Sequence, residues 1–321
     1  MTESLVDVAL LAYGGPESPD QVVEFLRRLM GREPDAGTVR VVQERYALIG
    51  GASPLPAITV RQAAALQAKL VQELAFPIRV RPGYLYGEPG VSDCVRALDA
   101  HEVLALPMSP FASRLTSGKY RAQLAAAEDP ATGGRGREIP LLEGWYASRG
   151  FVQALSRRVA AALDGCDVTE WAVLFTAHAV PVETIAEGDP YVDQLQQTIS
   201  QLVPQIVPGD WRFGFQSKGR GGGEWTGPEA DAAVRVLAEE GWKKILVVPV
   251  GFVSDNVETL YDLDIVLREQ MECLGIEYRR AHAPNDSPQF IQALADVVTD
   301  YLAHRPVERA LQRPDGPHAH G

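Results

Sequence analysis

Short apolar runs alternate along the chain with longer segments in which apolar residues recur at helical spacing. In the first half the runs at 4–12, 78–86 and 101–107 predict strands, with a further short one at 139–142. Segments at 19–30, 39–46, 59–74, 91–100 and from 115 onward predict helices. The second half repeats the scheme, with strands at 171–176, 211–215, 245–250 and 277–281 and helices at 150–163, 191–203, 228–241 and up to 302. Strands that are apolar on both faces belong in parallel sheets covered by helices. Two such series predict an α/β fold of two similar doubly wound, Rossmann-like domains, residues 1–148 and 149–304, whose parallel sheets face a central cleft. Residues 305–321 read as a solvated tail.

In open parallel sheets ligands bind past the carboxyl ends of the strands, so the loops there are where chemistry is expected. The run at 245–250 continues through GFVSDN into a helical start carrying Glu258, Asp262 and Asp264, with Ser254 or Asp255 as its cap. Acid in a first turn suits the helix dipole. Glu258 and Asp262, however, stand four apart on one face and repel by roughly 0.2–0.5 kcal/mol, which a nearby cation or proton relieves. His178 lies just past the strand at 171–176 and before Pro181. Taken alone, a histidine there is more often a satisfied loop residue than a catalyst. Tyr13-Gly14-Gly15-Pro16 ends the first strand in a tight turn, but it lacks both the GxGxxG spacing and the P-loop lysine of a nucleotide site. Arg45, Tyr46 and Ser53 flank a glycine-rich loop, either as turn chemistry or as a carboxylate clamp. Thr59 is positioned to cap the long helix after that loop.

The net charge is −12, which argues against a nucleic-acid partner and against a general footprint on anionic membranes. No run of about 18 apolar residues occurs and no basic region precedes the first apolar stretch. A cytoplasmic protein without stable membrane insertion is therefore expected. The 3 cysteines, Cys94, Cys166 and Cys273, lie far apart without CxxC spacing and read as reduced thiols.

The motifs FTAHAVP at 175–181, GDPY at 188–191, FQSKG at 215–219 and GFVSDNVETLYDLD at 251–264 occur with LLAYGGPES at 10–18 and RYALIGGASPLPAIT at 45–59. In this order and spacing they resemble the ferrochelatase family, enzymes that insert ferrous iron into a porphyrin, and the likeness runs to about Leu302. The resemblance implies that His178 and Glu258 form the central pair on one face of the ring, taking pyrrole protons and meeting the metal, with Tyr13 on the other face. It makes Asp262 an accessory acid and Arg45, Tyr46, Ser53, Tyr120 and Ser217 propionate contacts. Two departures stand out: Val266 replaces a third acid on the helix, and Asn256 replaces the histidine of an SDH loop. Some members hold a [2Fe-2S] cluster largely through cysteines near the C-terminus. No cysteine follows Cys273, so no such cluster and no permanently bound cofactor is expected, Fe2+ being a substrate. The segment RRLMGREPDAGTVRV at 27–41 is charged and glycine-broken, a poor seat for vinyl groups or a bilayer. This points to coproporphyrin III, with its four propionates, as the substrate of a monomeric enzyme. Protoporphyrin IX insertion, a non-catalytic tetrapyrrole carrier and a cobalt chelatase acting on an earlier tetrapyrrole are the other readings.

Overall fold

The computed structural model of the chain describes residues 6–74, 76–219 and 223–304. Strands β1 (Val6–Ala12), β2 (Ile78–Tyr84) and β3 (Glu102–Pro107) form a parallel sheet in the order β2-β1-β3. Strands β4 (Ala172–His178), β5 (Asp210–Gln216), β6 (Lys244–Val248) and β7 (Glu277–Arg280) form a second parallel sheet in the order β5-β4-β6-β7. All seven residues of β1 are buried, as a strand with both faces covered requires, and its one charged residue, Asp7, is paired with Arg79. Each sheet places its first strand between its second and third. The crevices between β1 and β3 and between β4 and β6 are thus the topological switch points, where an α/β sheet binds its ligand.

Helices α1 (Val22–Met30), α2 (Ala36–Leu48), α3 (Leu55–Glu73), α4 (Val91–Arg96) and α5 (Ser117–Glu128) belong to the first half. The second half carries α6 (Arg149–Ala162), α7 (Val182–Ala186), α8 (Tyr191–Ile206), α9 (Ala230–Glu239), a π-helix (Glu258–Leu267) that continues as α10 (Arg268–Cys273), and α11 (Pro288–His304). On β4, Ala172 and Leu174 face α9 and the π-helix through Ala233, Val234, Leu263 and Leu267. The alternate residues Val173, Phe175 and Ala177 face a second cluster with Phe151, Leu195 and Phe290. That cluster also takes in Val8, Leu10 and Leu66, so it runs through both halves, and α11 lies against both α6 and α3.

Several local expectations change. α3 begins at Leu55, not Thr59, because Pro54 and Pro56 sit where a helix start needs no backbone donor. Thr59 lies inside it, its Oγ1 donating to the Leu55 carbonyl at 2.8 Å. Residues 139–142 make only a parallel bridge of Leu141 to Ala105, and Pro140 has no N–H to extend it. His178 is the last residue of β4 and not a loop residue. The expected tail, 305–321, and residues 220–222 of the glycine-rich loop lie outside the described residues.

Candidate active site

His178 and Glu258 come from adjacent strands of the second sheet, His178 ending β4 and Glu258 opening the π-helix just after β6. The pair therefore straddles a switch point. His178 Nε2 lies 3.4 Å from Glu258 Oε1, and the two side chains keep 38% and 31% of their surface open. His178 Nδ1 meets the Ala179 carbonyl, which can only accept, so Nδ1 carries the hydrogen and Nε2 faces the carboxylate. Burial on its walled side lowers the imidazole pKa, but the charge of Glu258, the hydrogen bond to it, the Ala179 carbonyl and the charge of Asp262 outweigh this and push it up to about 9. At neutral pH the free site thus holds a protonated imidazole.

The surroundings fix both groups. The Tyr191 hydroxyl donates to the His178 carbonyl at 3.3 Å. Gly251 lets the loop after β6 lie flat on β4, since a Cβ there would meet the Ala177 Cβ at 2.7 Å. The first turn is capped by Asn256, whose Oδ1 accepts from the Glu258 amide at 2.8 Å. The expected caps serve elsewhere: the Ser254 hydroxyl accepts from Gln62 on α3 at 2.9 Å, and Asp255 is drawn to Arg280 at 2.8 Å and Asn285 at 2.7 Å. Burial raises the Asp255 pKa, but His282, Arg280 and Asn285 hold it well below the usual carboxylate range. Arg280 also grips Asp264 with two bonds of 2.6 and 2.7 Å, pinning the middle of the π-helix to β7.

Asp262 joins the site through a short hydrogen bond from the Ser217 hydroxyl. Burial and then the Glu258 charge raise its pKa, opposed by the Ser217 bond, Arg45 and His178. Arg45, on α2, reaches across to the second half and lies over the Tyr261 ring at 5.1 Å. Ser217 sits in the left-handed region, with φ 59°.

Past β1, Tyr13 is 38% exposed and rests edge-on against Tyr86 at 4.7 Å. Burial against neighbours, then the charges of Tyr86 and Glu258, raise the Tyr13 pKa. Tyr46 and Ser53 are buried, the serine pressed so close to Gly15 that a Cβ there would lie 2.6 Å from its Oγ. Tyr120 is buried among Ala9, Tyr86 and Leu124. The structure therefore brings together His178, Glu258, Asp262, Ser217 and Arg45, with Tyr13 and Tyr46 within reach of the Glu258 charge. Tyr120 stands behind this group and Ser53 beside the turn after β1.

Sequence reasoning missed three residues. Gln216, next to Ser217 in FQSKG, donates through Nε2 to the Glu258 carbonyl at 3.1 Å. Asp189, within GDPY, accepts from the Ser113 hydroxyl at 3.0 Å and the Arg114 amide at 2.8 Å, fastening the loop after β3 to the start of α8. Asn256 stood out only as a missing histidine. A polar side chain at the inner end of an apolar strand was the one available signal for Gln216.

The fold of two parallel-sheet α/β halves recurs in solved structures. It is similar to SirB from Bacillus subtilis with Fe3+ (TM-score 0.56, 11% identity, covering 92% of this chain and 94% of that one). It is likewise similar to CbiX, the terminal enzyme of siroheme biosynthesis in denitrifying bacteria (TM-score 0.54, 18% identity, 92% and 98% coverage). At the level of sequence, residues 6–302 match the ferrochelatase family model. The ferrochelatase of Herpetosiphon aurantiacus is 33% identical over 299 residues, 91% of this chain and 97% of that one. The coproporphyrin III ferrochelatase of Anoxybacillus flavithermus is 33% identical over 313 residues, 94% and 98% of the two chains. The chain belongs to the ferrochelatase family. Among the described residues no helix is long and apolar enough to cross a membrane.

Proposed function

We propose that the chain inserts Fe2+ into coproporphyrin III, giving the iron coproporphyrin used in haem biosynthesis. One observation carries the reading: an imidazole and a carboxylate 3.4 Å apart at the switch point of one sheet, with an exposed tyrosine ring past the central strand of the other. Metalation requires that two pyrrole N–H protons leave and that the ion shed water. Glu258 offers oxygen and His178 nitrogen, donors that suit ferrous iron, and both accept protons. In the free site the pair holds a proton on His178. A dication arriving beside Glu258 disfavours the imidazolium, whose Nε2 proton leaves to solvent; the freed Nε2 then takes one pyrrole proton and hands it outward to solvent or Asp262 before taking the second. Asp262, bonded to Ser217, is the next acceptor outward.

The choice of coproporphyrin rests on the rim. Arg27 and Arg28 on α1 are held by Glu24, Glu33 and Glu88, giving a charged edge in place of an apolar seat for vinyl groups. Arg45 provides donors for a carboxylate, each charge-assisted bond being worth about 1.5–3 kcal/mol when well formed, whereas the Ser217 O–H is already given to Asp262. The Anoxybacillus relative carries coproporphyrin III in its name. The test is kcat/KM for coproporphyrin III and protoporphyrin IX with Fe2+ under anaerobic conditions. A preference of about tenfold or more for coproporphyrin is expected, and equal values or the reverse preference would rule this substrate out.

A further inference from the structure

Gln216 ends β5 directly beside His178, in register with it across the pair β4–β5. Residues in register point to the same side of a sheet, so its side chain enters the layer between strand and π-helix. It is buried, with 6% of its surface exposed. Its backbone carbonyl accepts from the Ala179 amide at 2.8 Å, holding the strand end that carries His178. Its Nε2 donates to the Glu258 carbonyl at 3.1 Å and to the Ser217 hydroxyl at 3.3 Å, and that hydroxyl in turn bonds Asp262. Because the Glu258 carbonyl can only accept, the amide must present its nitrogen to it.

The orientation leaves Oε1 buried without a hydrogen-bond partner among the described residues. A leucine or methionine at this point would have avoided that orphan acceptor. A buried polar atom left unpaired calls for a reason elsewhere in the same side chain. That reason is the other end of the amide, the one side-chain group among the described residues whose hydrogen bonds join β5, the first residue of the π-helix and Ser217. From these contacts we infer that Gln216 is a positioning residue, a splint that sets Glu258 against His178 for metal insertion. The inference rests on the function proposed above.

Gln216→Met keeps the length and bulk of the side chain and removes both donors. For insertion of Fe2+ into coproporphyrin III, kcat is expected to fall about 10- to 100-fold, while porphyrin KM and Kd change less than about threefold. In a Glu258→Gln background the same substitution should cost less than about threefold more, because its effect passes through Glu258. A merely structural role would lower Tm and leave kcat per folded site intact. That result, or a full additive loss in the Glu258→Gln background, overturns the assignment. Should Gln216→Met fail to fold, Gln216→Leu, which also lacks the donors, carries the same comparison. If the native chain inserts iron into neither porphyrin, the proposed function falls and takes this role with it. If the native chain is active and Gln216→Met matches it, the positioning role alone falls.

Discussion

The two sheets run their three corresponding strands in the same order, yet the segments past their central strands are chemically unlike. Past β1 stands Tyr13, with Tyr86 against it and Tyr46 and Tyr120 nearby. Burial raises the pKa of Tyr13, Tyr46 and Tyr120, so these rings stay uncharged at neutral pH. Past β4 and β6 stand an imidazole and a carboxylate in contact, with a second carboxyl beside them. One scaffold has thus been fitted twice, once with a single exposed aromatic ring backed by buried ones and once with titratable groups in contact; under the proposed function the first would meet a face of the macrocycle and the second its centre. Gripping and chemistry should therefore separate on substitution.

The largest effect is expected at His178. In His178→Ala, anaerobic Fe2+ insertion should fall about 100-fold or more, while porphyrin Kd from fluorescence quenching stays within about threefold. Near-native turnover in this variant would erase the distinction between the two ends. Glu258→Gln should lower turnover about 10- to 100-fold. It should also move the His178 titration, followed by NMR of the ring, down from about 9 toward ordinary imidazole values. The sign follows from linkage. A histidine whose folded pKa exceeds its unfolded ~6.5 adds stability that is fully present below that value and is lost as pH rises through about 9. In Glu258→Gln that alkaline loss of stability should shrink, and a titration that stays at about 9 would show another anion to be responsible. The smallest effect belongs to the first half. Tyr13→Ala should weaken porphyrin binding roughly 3- to 10-fold and alter kcat less than about threefold. A collapse of kcat there would place chemistry on the Tyr13 face as well.

Much of the architecture was legible because β1, β3, β4 and β6 are short, largely apolar and bounded by turn residues, so their place in a parallel sheet follows from local pattern. His178 and Glu258 were legible from their place at strand ends together with the surrounding motifs. The π-helix was not. It is held from outside, by Arg280 on Asp264 and Gln216 on Glu258, partners 16 and 42 residues away in the sequence, so no local pattern announces it. The cap was misread for the same reason. Ser254, Asp255 and Asn256 can all cap a helix, and only the distant Arg280 and Gln62 decide which one is left free to do it. Residues that position others, such as Gln216 and Asp189, carry no pattern of their own, because their role is defined by what they touch.

The seating of α11 has a consequence for the order in which the molecule can be completed. Gln292 on that last helix reaches back 219 residues to Glu73 on α3, and the two helices share one apolar cluster with β1 and α6. Residues beyond 298 must therefore have been synthesised before the cluster that holds Leu66, Leu70, Leu294 and Val298 can be completed. Such distant contacts slow the docking of α11 and leave the nascent first half with an uncovered apolar flank until that helix has emerged.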